Sequence, residues 1–182
     1  MHIVSLSGSP SPRSRSRSRW LLQLAQTRLE TLASTSSVIA VRELPSDALL
    51  DADTRAEPIR RAIEHIRRAE LLLVATPIYK AAYSGLLKVF LDLLPPDALR
   101  GKILLPLATG GSLAHVLALD YALKPVLAAL GARDILDGVY ATDAQLVAHE
   151  SGGFVPDAGL LERPGRALQP LMPQAAEARC RA

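Results

Sequence analysis

Between Ser9 and Arg19 the sequence reads SPSPRSRSRSR, an alternation of hydroxyl and guanidinium side chains. Ser9, Ser14, Ser16 and Ser18 offer hydroxyls, and Arg13 and Arg15 offer forked cationic donors. A helix starting just after them adds unpaired backbone N–H groups, and the three together suit a phosphate. The run has no Gly-Lys-Ser/Thr ending, so it is not a P-loop, and no G-x-G-x-x-G, which disfavours a dinucleotide fingerprint here. What remains fits a terminal phosphate such as a mononucleotide carries. A solvated or RNA-binding Arg-Ser run is the competing reading. Position argues against it, because the run lies between a strand-like apolar segment and an apolar helical stripe. Arg17 and Arg19 are expected on the solvated side of that helix.

Two further segments could hold a flat ring. Thr76-Pro77-Ile78-Tyr79-Lys80-Ala81-Ala82-Tyr83-Ser84-Gly85 follows an apolar run. Pro77 lacks a backbone donor and stiffens the turn, leaving the next amides free for the polar edge of an isoalloxazine. Tyr79 can pack on such a ring or orient its rim. In Thr109-Gly110-Gly111-Ser112-Leu113-Ala114-His115 the paired glycines permit close approach to the backbone. Donors at the helix start beyond Thr109, Gly110, Gly111 and Ser112 could stabilise negative charge on a reduced ring. His115 reads as a partly buried helix residue rather than a catalyst. No His/Asp/Glu cluster has metal-ligand spacing, and Ser84 is not in a G-x-S-x-G elbow. Asp92 and Asp120 fall on helical patterns, facing solvent or neighbouring subunits.

The surrounding pattern must place these segments together. His2–Ser7 reads as a strand closed by Gly8-Ser9-Pro10, and 16–33 as a helix with Trp20, Leu21, Leu24, Leu29 and Leu32 as its apolar stripe. A second strand over 37–42 and a helix over 55–69 precede Leu71-Leu72-Leu73-Val74-Ala75, an apolar run typical of a strand buried on both faces. Ser84 can cap a helix over 85–94 that Pro95-Pro96 ends. A fourth strand over 102–108, a long helix over 113–130 and a fifth strand over 134–142 follow. The alternation predicts an α/β fold, a doubly wound sheet of five parallel strands with helices on both faces. Ligands of such sheets sit beyond the carboxyl ends of the strands, so the loops after strands one, three and four are the places to look. After His149 the pattern weakens, and Pro156, Pro164, Pro170 and Pro173 predict a loop, a broken helix and a loose tail.

With 182 residues, 49% hydrophobic and only 4% aromatic, the chain suits one domain with a Leu/Val/Ile/Ala core. The net charge of +3 is concentrated around the Arg-Ser run and the tail, which suggests an anionic ligand more than a nucleic-acid groove. Cys180 is the only cysteine, so one chain can form neither a disulfide nor a Cys-based metal site. Residues 1–8 enter a strand pattern without the features of a secretory leader, and no apolar run approaches about 18 residues. A cytoplasmic protein without membrane spans is expected.

The motifs Leu6-Ser7-Gly8-Ser9-Pro10 with Ser14-Arg15-Ser16, Ala75 through Gly85, and Pro106-Leu107-Ala108-Thr109-Gly110-Gly111 resemble those of one family. It is the NADPH-dependent FMN reductases that serve two-component alkanesulfonate monooxygenases. The likeness continues through Ala114-His115 and Asp120-Tyr121-Ala122-Leu123-Lys124-Pro125 and covers residues 1–145. It implies a flavodoxin-like FMN-binding domain over 1–145, with 146–182 as the closing part of the same domain, assembled as a dimer or tetramer. FMN and NADPH are the implied cofactors. Hydride would pass from nicotinamide to flavin N5 without a catalytic side chain, and reduced FMN would leave for a partner monooxygenase. By position, the resemblance has Ser9, Ser14, Arg15 and Ser16 hold the phosphate and Pro77, Ile78, Tyr79 and Lys80 line the isoalloxazine. Gly110, Gly111 and Ser112 would close its pyrimidine side. Tyr121 matches an extra tyrosine that makes a π-bulge at the family's tetramer interface. The prolines of the tail depart from the family pattern. The alternatives are a quinone or azo-compound reductase with tightly bound FMN, and a flavodoxin-type electron carrier, a class that is usually acidic.

Overall fold

Strand alternation sorts the core residues onto two faces of one sheet. On one face Val4, Leu6, Leu72, Val74 and Leu104 meet helical residues such as Ile59, Ile66, Leu87, Phe90 and Leu127. On the other, Ile3, Leu71, Leu73, Leu105 and Leu107 meet Leu21, Leu22, Leu160 and Leu168. The structure is a computed structural model and describes residues 1–150 and 152–172. The sequence readings of Pro173 and Cys180 fall outside them.

The first elements are β1 (His2–Ser7), α1 (Arg17–Thr27), β2 (Thr35–Ala40), α2 (Ser46–Leu50) and α3 (Glu57–Arg68). Then come β3 (Leu71–Tyr79), β4 (Ala82–Tyr83), α4 (Gly85–Leu91) and β5 (Ile103–Gly110). A π-helical segment (Leu119–Leu123) leads into α5 (Lys124–Ala129), followed by β6 (Asp134–Ile135) and β7 (Val139–Thr142). Last are β8 (Leu146–Ala148), β9 (Phe154–Pro156) and α6 (Ala158–Leu168). The sheet order is β2-β1-β3-β5-β6, all parallel pairs, with β7 also parallel to β5 and β4 antiparallel to β3. This is the expected flavodoxin-like architecture.

Where the structure departs from the expected elements, the cause is local. The fifth strand is two short strands, because the register on β5 advances by one residue between Leu104↔Ile135 and Leu107↔Val139. That is a bulge, and it falls beside Pro106, which has no N–H to offer an outer strand. The helix expected over 113–130 is instead a 3-10 turn (Leu113–His115), the π segment and α5. Pro125 falls where the π segment gives way to α5. The broken closing helix is also corrected. β8 and β9 pair as antiparallel strands where a loop is expected, and α6 runs unbroken through a buried Pro164. An internal proline costs a helix about 3 kcal/mol. Full burial of Leu160 and Leu168 at about 1.5–3 kcal/mol each offsets that.

Surface ion pairs decorate this frame without deciding it. Asp92 pairs with Lys88 and Asp120 with Lys124, each one helical turn apart, and such solvent-screened pairs add little to stability. Among the described residues no helix is long and apolar enough to cross a membrane.

Candidate functional site

The carboxyl ends of β1, β3, β5 and β7 and the start of α1 enclose a cleft of about 170 Å³. Larger hollows of about 290 Å³ beside β2 and α3 and about 320 Å³ beside β7 and α6 have no serine or threonine in their walls. Donor chemistry, not volume, singles out the smaller cleft.

One end gathers hydrogen-bond donors. Ser16 caps α1, its Oγ accepting from the Arg19 N–H at 3.2 Å while its carbonyl accepts from Trp20 at 3.1 Å. The N–H groups of Arg17 and Ser18, which open α1, are left without a partner among the described residues. Ser9, Ser16 and Ser18 are buried along this end, and Ser18 Oγ lies 3.3 Å from Ser16 Oγ. Arg15 lines the cleft with an exposed guanidinium that has no partner among the described residues. Ser14 is exposed and is not part of the wall.

Arg17 and Arg19 are not the solvated pair that the sequence suggests. Arg17 lines the cleft, donates from Nε to the Leu146 carbonyl at 3.0 Å and sits 3.5 Å from Asp143 Oδ1. Its guanidinium also lies 4.9 Å from the centre of the Phe154 ring. Arg19 is half-buried, and burial first, then neighbouring Arg13, pushes its guanidinium below its ordinary pKa.

The opposite end is flatter. Thr76 through Tyr79 is not a turn but the continuation of β3, with Pro77 in register with Thr109 of β5. The turn itself is Lys80-Ala81, where φ is +50° and +62°, as a two-residue hairpin of the mirror-image type demands. Non-glycine residues adopt this region at a cost. Ser84 holds the hairpin in place. Its N–H donates to Thr76 Oγ1 at 3.0 Å, its Oγ donates to the Gly8 carbonyl at 2.5 Å, and the same Oγ accepts from Leu87 at 3.1 Å. Pro77, Ile78 and Tyr79 therefore face the cleft, while Lys80 is exposed at the hairpin tip and outside its wall.

Thr109, Gly110 and Gly111 form the third wall. Gly110 is needed first for its neighbour: a Cβ there would lie 2.5 Å from the Tyr140 hydroxyl. That hydroxyl donates to the Ser112 carbonyl at 2.7 Å and so fixes the loop. Burial, with Asp143 nearby, pushes the Tyr140 pKa up, keeping the phenol protonated as a donor. Ser112 itself turns away and accepts from Ala114. His115 is partly buried in the 3-10 turn and lies outside the wall.

Sequence reasoning left Ser11, Arg17 and Asp143 out of the site, although all three line it, whereas Ser18, counted among the hydroxyls of the run, does belong to the wall. Asp143 follows directly on β7. The rule that ligands gather beyond strand ends applies to that strand too, and would have flagged it. Among the described residues no cluster of His, Cys, Asp and Glu could hold a metal. Tyr121, in the π segment that packs on β4, is 79% exposed.

Comparison with known proteins finds relatives of this chain. Residues 1–146 match a family model described as NADPH-dependent FMN reductase. The FMN reductase (NADPH) of Escherichia coli K12 is 47% identical over 158 residues, which span 86% of this chain and 82% of that one. That of Pseudomonas putida KT2440 is 47% identical over 152 residues, 84% of this chain and 76% of the relative. Among solved structures, an NADH:FMN oxidoreductase (EMOB) in its apo form superposes with a TM-score of 0.82 at 38% identity. That superposition covers 92% of this chain and 86% of the other.

Proposed function

The chain belongs to the NADPH-dependent FMN reductase family, and from that membership we propose that it oxidises NAD(P)H to reduce FMN in the cleft beyond β1, β3, β5 and β7. One observation carries the placement. Hydroxyls, two helix N–H groups and the guanidinium of Arg15, the last three without a partner among the described residues, meet at one end, and a flat wall of Pro77–Tyr79 and Thr109–Gly111 stands at the other. Such a donor set fits a phosphate monoester, and such a wall fits a planar ring. Bound FMN supplies the hydride-accepting N5. Ser9, Ser16, Ser18 and Arg15 grip the phosphate, and the hairpin fixed by Ser84 and the loop fixed by Tyr140 orient the ring and keep water from one face. No side-chain acid or base is assigned a role.

FMN is read as a substrate that leaves reduced, bound for an FMNH2-dependent monooxygenase of the alkanesulfonate type; the motifs that continue to Pro125 support this reading. A cytoplasmic setting, where NAD(P)H is regenerated, suits that traffic. The test is steady-state NADPH and NADH oxidation with FMN, FAD and riboflavin varied in turn. FMN-dependent oxidation with a nearly colourless purified protein is expected, with NADPH the better donor. Oxidation with none of the flavins refutes the enzyme reading, and a protein that purifies bright yellow refutes release of FMN.

Self-association is proposed on a second observation. Leu113, Val116, Leu117 and Tyr121 are all exposed, a helically spaced apolar stripe on a polar surface. A second copy would cover it, Tyr121 included. Sedimentation of the Tyr121→Asp chain is expected to show a smaller species than the unsubstituted chain, and an unchanged mass removes Tyr121 from the interface.

A further inference from the structure

Between the anion-binding end of the cleft and its third wall stands a carboxylate that a permanent phosphate site would not want. Asp143 lines the cleft directly after β7, half-exposed, with Oδ1 3.5 Å from Arg17 Nε. Its Oδ2 lies 3.9 Å from where a Cβ on Gly111 would stand, so the carboxylate faces the open side of the third wall. Arg17 is also held by the Leu146 carbonyl and by the Phe154 ring, so it is not free to swing toward a ligand. Of the charged residues in the wall, Arg15 and Arg17 are positive and Asp143 is negative, leaving one net positive charge. A phosphate monoester brings about −1.5 to −2 at neutral pH. Without Asp143 the charges would nearly balance; with it, the cleft is undercharged and one of its two guanidinium groups is engaged.

We propose that Asp143 is a positioning residue that keeps FMN exchangeable, by pairing with Arg17 and opposing the incoming phosphate. The inference rests on the reading of this cleft as the FMN site and adds to it a reason why the flavin leaves. It concerns the phosphate charge. Riboflavin, which has the same ring and ribityl chain but no phosphate, carries no such charge and should feel Asp143 far less.

Flavin binding without any nicotinamide donor tests this, by quenching of FMN and riboflavin fluorescence on titration with the unsubstituted and Asp143→Asn chains. The substituted chain is expected to bind FMN about tenfold more tightly, ~1.4 kcal/mol, with riboflavin affinity changed less than about twofold. The FMN gain should shrink with added salt, as exposed charges are screened over about 10 Å at 0.1 M. A purely structural role for Asp143 would move both flavins together. Equal tightening of both, unchanged FMN affinity, or weaker FMN binding overturns the proposal. If the unsubstituted chain quenches neither flavin, the FMN reading of the cleft fails first and this inference with it. That outcome is distinct from normal FMN binding with no effect of the substitution.

Discussion

Replacing Gly8 with alanine is expected to destabilise the protein by about 3 kcal/mol, taking a clash at about 1–3 kcal/mol and a weakened hydrogen bond at about 1 kcal/mol. Gly8 follows β1 and is pinned on two sides. Its N–H donates to the Ala75 carbonyl at 2.8 Å and its carbonyl accepts from Ser84 Oγ at 2.5 Å. A Cβ there would sit 2.5 Å from the Cβ of Leu87, with Cγ and Cδ1 at 3.1 and 3.2 Å. No rotamer of Leu87 relieves a contact with its own Cβ, and Leu87 is fully buried in α4. Either α4 or the end of β1 must move. Both position the cleft, since Ser9 is the next residue and Ser84 anchors the β3–β4 hairpin. For a domain of this size the melting temperature should fall by roughly 10 °C, with FMN affinity lost in parallel. Gly85→Ala is the control, because a Cβ at Gly85 meets nothing within 4 Å. Calorimetry of both chains decides the point. A Gly8→Ala chain melting within two or three degrees (~1 kcal/mol) of the unsubstituted one would show that the contact yields easily.

Gly8 also marks how far sequence reasoning reaches. As punctuation after a strand it was legible; as a contact surface for α4 it was not, because Leu87 is distant in sequence and only the parallel pairing of β1 with β3 brings it near. The same holds at Gly110, where the expected reason was approach of a ligand and the closest neighbour is Tyr140 from β7. Period and apolar runs were enough to find the parallel strands of the sheet, to find the Ser84 cap and to pick out the three loops that wall the cleft. They failed where one residue changes the register. The bulge beside Pro106 split the last strand, and the π segment around Tyr121 was implied by family resemblance rather than by any periodicity. Prolines misled in the closing part, since burial against the second face of the sheet outweighs the hydrogen bond Pro164 removes. Within the Arg-Ser run, composition could not tell Arg15 from Arg17. That distinction depends on Leu146, Asp143 and Phe154, all more than a hundred residues away and delivered by β7 and the β8–β9 pair.

That distinction yields the largest expected effect on catalysis. Arg15→Ala is expected to raise the KM for FMN by about 10- to 100-fold, since a hydrogen bond to a charged group is worth about 1.5–3 kcal/mol. Arg15 faces the cleft with no partner among the described residues, so its removal leaves no buried group stranded, and the fold should be unaffected. Arg17→Ala breaks the bond to Leu146 and the contact with Phe154, so its effect mixes binding with stability. The two arginines are therefore separable by measurement. Arg15→Ala should leave the melting temperature within about 2 °C and the KM for riboflavin unchanged, while the KM for FMN rises and kcat at saturating FMN stays within twofold. That pattern is the signature of binding energy shared by ground and transition states. An unchanged KM for FMN removes Arg15 from the phosphate grip. Equal rises for FMN and riboflavin would instead place its guanidinium against the ring or ribityl chain. Because Asp143 opposes what Arg15 supplies, the Arg15→Ala, Asp143→Asn double substitution should recover part of the lost FMN affinity and none of any loss toward riboflavin. Recovery toward both flavins would mean that the pair acts on the shape of the cleft rather than on its charge.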